Sequence, residues 1–358
     1  MPRTAAQMRI LIIKRGALGD VLRTTALLAS LKSRWPDSEL CWLTSPEARP
    51  LLEGNPYLGR LSSEADGLLL GRFDRVLSME EDPAFAALEK TVHHGLWTGV
   101  VLRGGRLAYT ADSAAYYDLS LLHLDPDGGH ASADELKQTN TLTYEQLWLK
   151  ALDLPDPPQP PQPVLRLTEE DAAQADYLAQ RLGIADLPLR IGIHPGAGAR
   201  WPSKRIPEET TLALAREVRR RWGVPLILFG GPEEAAAHPR LAAAAGGDLL
   251  DLGADYGLRV FAALLARCDV LVSSDSLALH AARALSRPVV AAFGPTSAGE
   301  VRLAHGTTLL PPGGCGCWYR SGCSRSKPCL GEIPLGAWID AIAGLLPPSQ
   351  PSPASGGG

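Results

Sequence analysis

The chain has 358 residues, 35 basic against 39 acidic for a formal charge of -4, with 45% hydrophobic and 21% charged content. That length exceeds what one core usually organises, so two domains are expected, and the composition excludes a disordered or fibrous chain. The mild acidity gives no reason to expect nucleic acid, no apolar run reaches the roughly 18–20 residues of a spanning helix, and residues 1–8 run into Arg9, Lys14 and Arg15 rather than a signal core. A cytoplasmic protein is expected.

Residues 9–14 are a short apolar run of the kind a buried parallel strand shows. Residues 20–35, with Val21, Leu28, Leu31 and Trp35 on one side, read as the following helix. Residues 39–44 are a second strand, and Ser45-Pro46 reads as the N-cap and first-turn proline of a short helix. Residues 75–77 and 99–103 are further strand candidates, whereas 112–138 is polar and irregular and yields no assignment. A helix over 141–152 ends at a proline-rich stretch that fits neither a helix interior nor a central strand. That stretch, 155–163, is read as the linker between an N-terminal domain, 1–154, and a C-terminal domain, 164–346.

After the linker the alternation restarts. Helices are expected over 168–182 (capped by Thr168), 207–222, 233–245, 258–267, 276–285 and 335–346, and strands over 190–194, 225–229, 269–273 and 288–293. Residues 347–358 form a Pro/Ser/Gly tail expected to be disordered. Strands separated by helices imply βαβ units with right-handed crossovers, hence two doubly wound α/β domains facing one another. Ligands of such sheets bind beyond the carboxyl ends of the strands.

Three segments fall at such ends: Arg15-Gly-Ala-Leu-Gly-Asp20, His194-Pro-Gly-Ala-Gly-Ala-Arg-Trp-Pro-Ser-Lys204 and Ser273-Ser-Asp-Ser-Leu-Ala-Leu-His280. A glycine-rich turn entering a helix presents backbone N–H groups at the positive helix end, so together they predict a cleft for a diphosphate ligand. Asp20 is a candidate general base, with capping of the next helix as the plainer alternative, and Lys14, Arg15 and Gly19 accompany it on the acceptor side. Gly196, Ala197 and Gly198 followed by Trp201 match neither the dinucleotide nor the Walker fingerprint, leaving a glycine turn with Lys204 placed to neutralise a pyrophosphate. Glu233 or Glu234, after the Gly230-Gly231 turn, could accept hydrogen bonds from a ribose or base, or sit in a helical first turn. Asp275, Ser276, Leu277 and His280 lie at the last of the three ends, where they could converge on a sugar and its phosphates.

Taken with Gly294-Pro-Thr296, these motifs resemble the ADP-heptose:lipopolysaccharide heptosyltransferases of glycosyltransferase family nine, over roughly residues 9–346. The resemblance implies a GT-B fold of two facing Rossmann-like domains, the N-terminal one for acceptor and the C-terminal one for the nucleotide sugar. It implies inversion at the anomeric carbon, no metal or cofactor for catalysis, an ADP-sugar donor and a glycan or glycolipid acceptor. Basic residues near the N-terminal domain are read as able to hold the protein peripherally at the inner membrane, although no amphipathic anchor is evident. By position Asp20 matches the family's base, Lys204 its diphosphate lysine, and Asp275, Ser276 and His280 its donor cluster. Where the family often has Thr-Gly after the aspartate, this chain has Ser276-Leu277. A sugar epimerase of the same layout and a non-catalytic nucleotide-sugar-binding protein are the alternatives.

Cys315, Cys317, Cys323 and Cys329 fall close together, whereas Cys41 and Cys268 sit in apolar surroundings. In a cytoplasmic protein such a cluster is read as a structural zinc or iron site, with reduced thiols or disulfides as the alternatives.

Overall fold

The computed structural model describes residues 7–64, 68, 69, 71–120, 122, 131–198, 201–318, 323 and 325–347. The expected tail, from residue 348 on, lies outside them. The first sheet contains β1 (Arg9–Ile13), β2 (Glu39–Leu43), β3 (Arg60–Ser62), β4 (Arg72–Ser78), β5 (His93–Arg103) and β6 (Arg106–Tyr109), in spatial order 3-2-1-4-5-6. All neighbours are parallel except β5 and β6. The second sheet contains β7 (Ile191–His194), β8 (Leu226–Leu228), β9 (Leu249–Asp251), β10 (Val270–Ser274), β11 (Val289–Ala292) and β12 (Gly306–Leu309), ordered 12-11-10-7-8-9 and parallel throughout. Both orders are doubly wound, so the sequence reading of two Rossmann-like α/β units holds.

The central strands form because their apolar runs can be buried on both faces. Ile10, Leu11, Ile12 and Ile13 of β1 and Val270, Leu271 and Val272 of β10 are almost fully enclosed. Helices cover the sheets. The first half contributes α1 (Leu18–Thr24), α2 (Leu28–Arg34), α3 (Pro83–Ala86), α4 (Ala114–Tyr117), α5 (Ala131–Thr139) and α6 (Tyr144–Ala151). The second half contributes α7 (Glu169–Arg181), α8 (Glu208–Trp222), α9 (His238–Ala245), α10 (Leu258–Leu265), α11 (Leu277–Ala284) and α12 (Leu335–Leu345). Thr168 caps α7 as expected, in a reciprocal box with Asp171.

Two helices differ from expectation. After Ser45-Pro46 the chain makes only a turn and a 3-10 segment, Arg49–Leu51, although Ser45 Oγ does accept the Ala48 N–H at 3.2 Å. The helix expected from residue 233 begins at His238, because Pro239 in its first turn would clash with a helical carbonyl one turn earlier.

The two halves share a buried seam. Leu22 of α1 and Leu51 pack into the same apolar cluster as Phe261, Ala278 and Leu279 of the second half. Arg283 of α11 donates to Glu145 of α6 at 2.8 Å, with both side chains nearly inaccessible. Arg259 of α10 pairs with Asp171 and also donates to the Pro50 carbonyl at 3.0 Å. The seam fixes how the loop ends of the two sheets face each other.

Candidate active site

A cavity of about 180 Å³ lies between the halves. One wall is made by Lys14, Gly16, Ala17 and Asp20 after β1 and by Met79, Glu80 and Glu81 after β4; the other by Trp201 and Lys204 after β7, Asp275 after β10, and Thr296 and Glu300 after β11. β1 and β4, like β7 and β10, are the adjacent strands where the strand order reverses, and loops leaving such a pair diverge to open a crevice. The cavity is therefore two switch points set face to face.

On the first wall Asp20 sits in the first turn of α1, one carboxylate oxygen 3.0 Å from Arg23 Nε. Burial pushes the Asp20 carboxyl up, but Arg23, Lys14, Lys204 and His280 more than offset it and hold the group below the usual carboxylate value. Asp20 is thus an ionised acceptor open to the cavity. Arg23 is itself fixed, its guanidinium 4.0 Å from the Tyr144 ring centre and 3.4 Å from the Tyr116 hydroxyl.

The glycine turn beside it is not vacant. Glu80 accepts the N–H groups of Arg15 at 2.7 Å and Gly16 at 3.1 Å, so the amides expected to cradle phosphate already hold an internal carboxylate. Arg15 points elsewhere: it donates to the carbonyls of Thr44 (2.7 Å) and Ser63 (3.2 Å) and lies over Phe85. Lys14 does face the cavity. At Gly19 a Cβ would lie 3.1 Å from His280 Cδ2 and 3.4 Å from the Leu277 nitrogen, so this glycine serves the close approach of α1 to α11.

On the second wall Lys204 Nζ is 3.0 Å from one Asp275 oxygen, and His280 Nε2 is 3.6 Å from the other. Burial pushes Asp275 up, yet Lys204 and His280 hold it well below the ordinary range. Burial lowers the His280 pKa despite Asp275, which leaves a neutral imidazole at pH 7. Ser276, directly before α11, is held by Ser273 Oγ (2.9 Å) and His194 Nδ1 (3.4 Å), and Leu277 opens the helix. Lys204, Asp275 and His280 come together; Lys204 and Asp275 line the cavity, whereas Ser276, Leu277 and His280 do not.

The Gly196 loop shows a different use of glutamate. A Cβ at Gly196 would lie 2.3 Å from Glu234 Oε1, while Glu234 Oε2 accepts the Gly231 N–H at 3.0 Å. Glu234 therefore locks two glycine turns together. Glu233 is exposed beside Gly198, and Ala197 is half-buried between the glycines. Arg23, Glu80, Tyr116, Lys137, Tyr144 and Glu300 line the cavity without having been singled out in the sequence. For Arg23 the signal was available, since it lies one helical turn after Asp20.

The clustered cysteines are free thiols, as are the buried Cys41 and Cys268. Cys315 and Cys317 have Sγ atoms 3.2 Å apart, closer than the roughly 3.8 Å edge of a tetrahedron with 2.3 Å zinc–sulfur bonds. Hydrogen bonding from Cys329 lowers Cys315 to about 6, whereas burial and the neighbouring Cys315 raise Cys317 to about 12. Cys329 packs against Gly294. Among the described residues no group of three or more His, Cys, Asp or Glu side chains is disposed to hold a metal ion.

The sequence profile of glycosyltransferase family 9 (heptosyltransferase) matches residues 68–308. The chain belongs to glycosyltransferase family 9. It is a glycosyltransferase with two parallel-sheet domains of the GT-B kind. Lipopolysaccharide heptosyltransferase 2 of Escherichia coli K12 is 26% identical over 316 residues, spanning 81% of this chain and 84% of the relative. Among solved structures, the family 9 glycosyltransferase of Veillonella parvula superposes with a TM-score of 0.70 at 21% identity, covering 94% of this chain and 97% of that one. The E. coli ADP-heptose lipopolysaccharide heptosyltransferase II superposes with a TM-score of 0.65, also at 21% identity, covering 94% and 98%. Family membership sets aside the epimerase alternative.

Proposed function

We propose that this family 9 enzyme moves heptose from ADP-heptose to a hydroxyl of a lipopolysaccharide-core or other glycan acceptor, with inversion and with no metal ion in the chemical step. The N-terminal half, 1–154, takes the acceptor and the C-terminal half, 164–346, the donor. The reaction is placed in the cytoplasm, with a glycolipid acceptor presented at the inner membrane; no helix among the described residues is long and apolar enough to cross a membrane. The observation that carries the reading is that Asp20 and the Lys204–Asp275 pair face one cavity from opposite walls. The names of the two E. coli proteins, one of them an ADP-heptose lipopolysaccharide heptosyltransferase, support the donor and acceptor classes.

Asp20 accepts the proton of the acceptor hydroxyl as its oxygen bonds to the anomeric carbon. The bond from that carbon to the diphosphate oxygen breaks, and its electron pair leaves with ADP. Lys204 stabilises that charge, aided by the positive end of α11. A base on one wall and a leaving-group cation on the other suit a single displacement, which inverts the centre.

Single-turnover transfer from ADP-heptose, read together with calorimetric binding of ADP, UDP and GDP, tests this. Asp20→Asn should lower transfer by about 10²- to 10⁴-fold while leaving ADP affinity unchanged. Full turnover in that variant would remove Asp20 as the base, and a preference for UDP or GDP would reject the ADP-heptose donor.

A further inference from the structure

A line of charge crosses the cavity from one half of the molecule to the other. Asp20 Oδ1 lies 3.0 Å from Arg23 Nε, Arg23 Nη1 lies 4.0 Å from Glu300 Oε2, and Lys137 Nζ donates to Glu300 Oε1 at 3.1 Å. Asp20, Arg23 and Lys137 belong to the first half. Glu300 comes from the second, from the 3-10 turn Ala298–Glu300 that follows β11. The side chains of Arg23, Glu300 and Lys137 are 13%, 5% and 7% exposed, so solvent screens these contacts little. Tyr144 and Tyr116 hold the guanidinium, so it cannot follow either carboxylate freely.

We propose that Arg23 and Glu300 are positioning residues for the transfer: Arg23 orients the Asp20 carboxylate, and Glu300, reaching across the cleft, shares the guanidinium with it. The proposal rests on Asp20 as the base. The groups facing Asp20 are Lys14 from the end of β1, Arg23 from its own helix, Lys204 from the turn before α8, and His280 from α11. Arg23 in turn faces Tyr116, Tyr144 and Glu300 as well as Asp20, and Glu300 faces Lys137. Of these only Arg23 makes an ion pair with Asp20 at 3.0 Å. A cation at that distance keeps the carboxylate ionised but makes it a reluctant proton acceptor. A second carboxylate 4.0 Å from the same guanidinium offsets part of its charge and returns basicity to Asp20.

The test is the acid limb of the kcat/KM profile for transfer from ADP-heptose to a truncated lipopolysaccharide acceptor. Removing the cation in Arg23→Gln should move the limb to higher pH by about 1 unit, and Arg23→Lys should restore most of it. Glu300→Gln should move the limb the other way, by about half a unit, with a plateau rate about three-fold lower. In the Arg23→Gln background the Glu300→Gln shift should vanish. If Glu300→Gln does not fold, Lys137→Met serves instead, and by freeing Glu300 for Arg23 it should move the limb upward. Limbs that stay in place, or that move in the same direction for Arg23→Gln and Glu300→Gln, would make these residues structural and overturn the proposal. Full turnover in Asp20→Asn would overturn the base itself; an inactive Asp20→Asn with unmoved limbs overturns only the role of Arg23 and Glu300.

Discussion

The two halves both place a glycine-containing turn with a glutamate against it at the switch point of a doubly wound sheet, and they present opposite charges to the cavity beside it. In the first, Glu80 fills the turn by accepting the Arg15 and Gly16 amides, and the adjoining helix presents Asp20 to the cavity. In the second, Glu234 lies against the Gly196 turn, and the cavity is faced by the Lys204–Asp275 pair just before α11. A glycine turn thus specifies a shape that lets backbone amides converge, while a residue 64 or 65 positions away decides whether an anion site remains. The occupied turn is a rigid mount for the base. The other wall offers Lys204 to the diphosphate.

Lysine removal tests this division most strongly. Lys204→Ala should weaken ADP binding by about 10- to 100-fold, the scale of a lost hydrogen bond to a charged group. Lys14→Ala should change it by no more than about three-fold, because its ammonium faces Glu80 at 4.0 Å across the cavity from that site. Equal losses in calorimetry would mean that the diphosphate reaches both turns, and the contrast between them would collapse.

A smaller effect is expected from emptying the filled turn. Glu80→Ala leaves the Arg15 and Gly16 amides without their acceptor and should destabilise the fold by about 2 kcal/mol, read as a lower Tm. The same variant recreates the anion site suggested by the sequence. Inorganic phosphate should therefore raise its Tm more than that of the wild type. No added response to phosphate would show that the turn's shape alone does not make an anion site.

The pattern of success in reading the sequence has the same origin. β1, β7, β10 and β11 were legible because a strand buried on both faces must be apolar along its whole length. The edge strands β3 and β12 were not, since Arg60-Leu-Ser62 and Gly306-Thr-Thr-Leu309 are short, polar and half-buried. Asp20, Lys204 and Asp275 could be placed at the cavity because strand ends are where such sheets bind ligands. Glu80, Lys137 and Glu300 carry no local pattern; the Lys137–Glu300 pair spans 163 residues, and Lys137 lies in the stretch left unassigned. Arg15 was misleading for a related reason, because proximity to a turn does not say where a long side chain points.

The smallest expected effect distinguishes the halves by pH. Burial lowers the pKa of His280 and His194 in the second half, so between the ordinary histidine value of about 6.5 and their lower folded values the unfolded chain binds more protons. Stability must then fall as pH drops below about 6.5, and it gains nothing from these groups above that point. Asp20 and Asp275 have the same sign of shift but a lower window: their contribution is intact above the ordinary carboxylate value of about 4 and is lost only below it. Thermal unfolding from pH 7.5 to 5 should therefore report the histidines alone among these four. Each pH unit over which one proton separates the two states changes stability by at most about 1.4 kcal/mol, so His280→Gln should give a shallower decline below pH 6.5 even if its Tm at pH 7.5 is lower. An unchanged slope would mean that the imidazole charges in the folded protein, and the neutral His280 beside Asp275 would have to be replaced by a cation pairing with it.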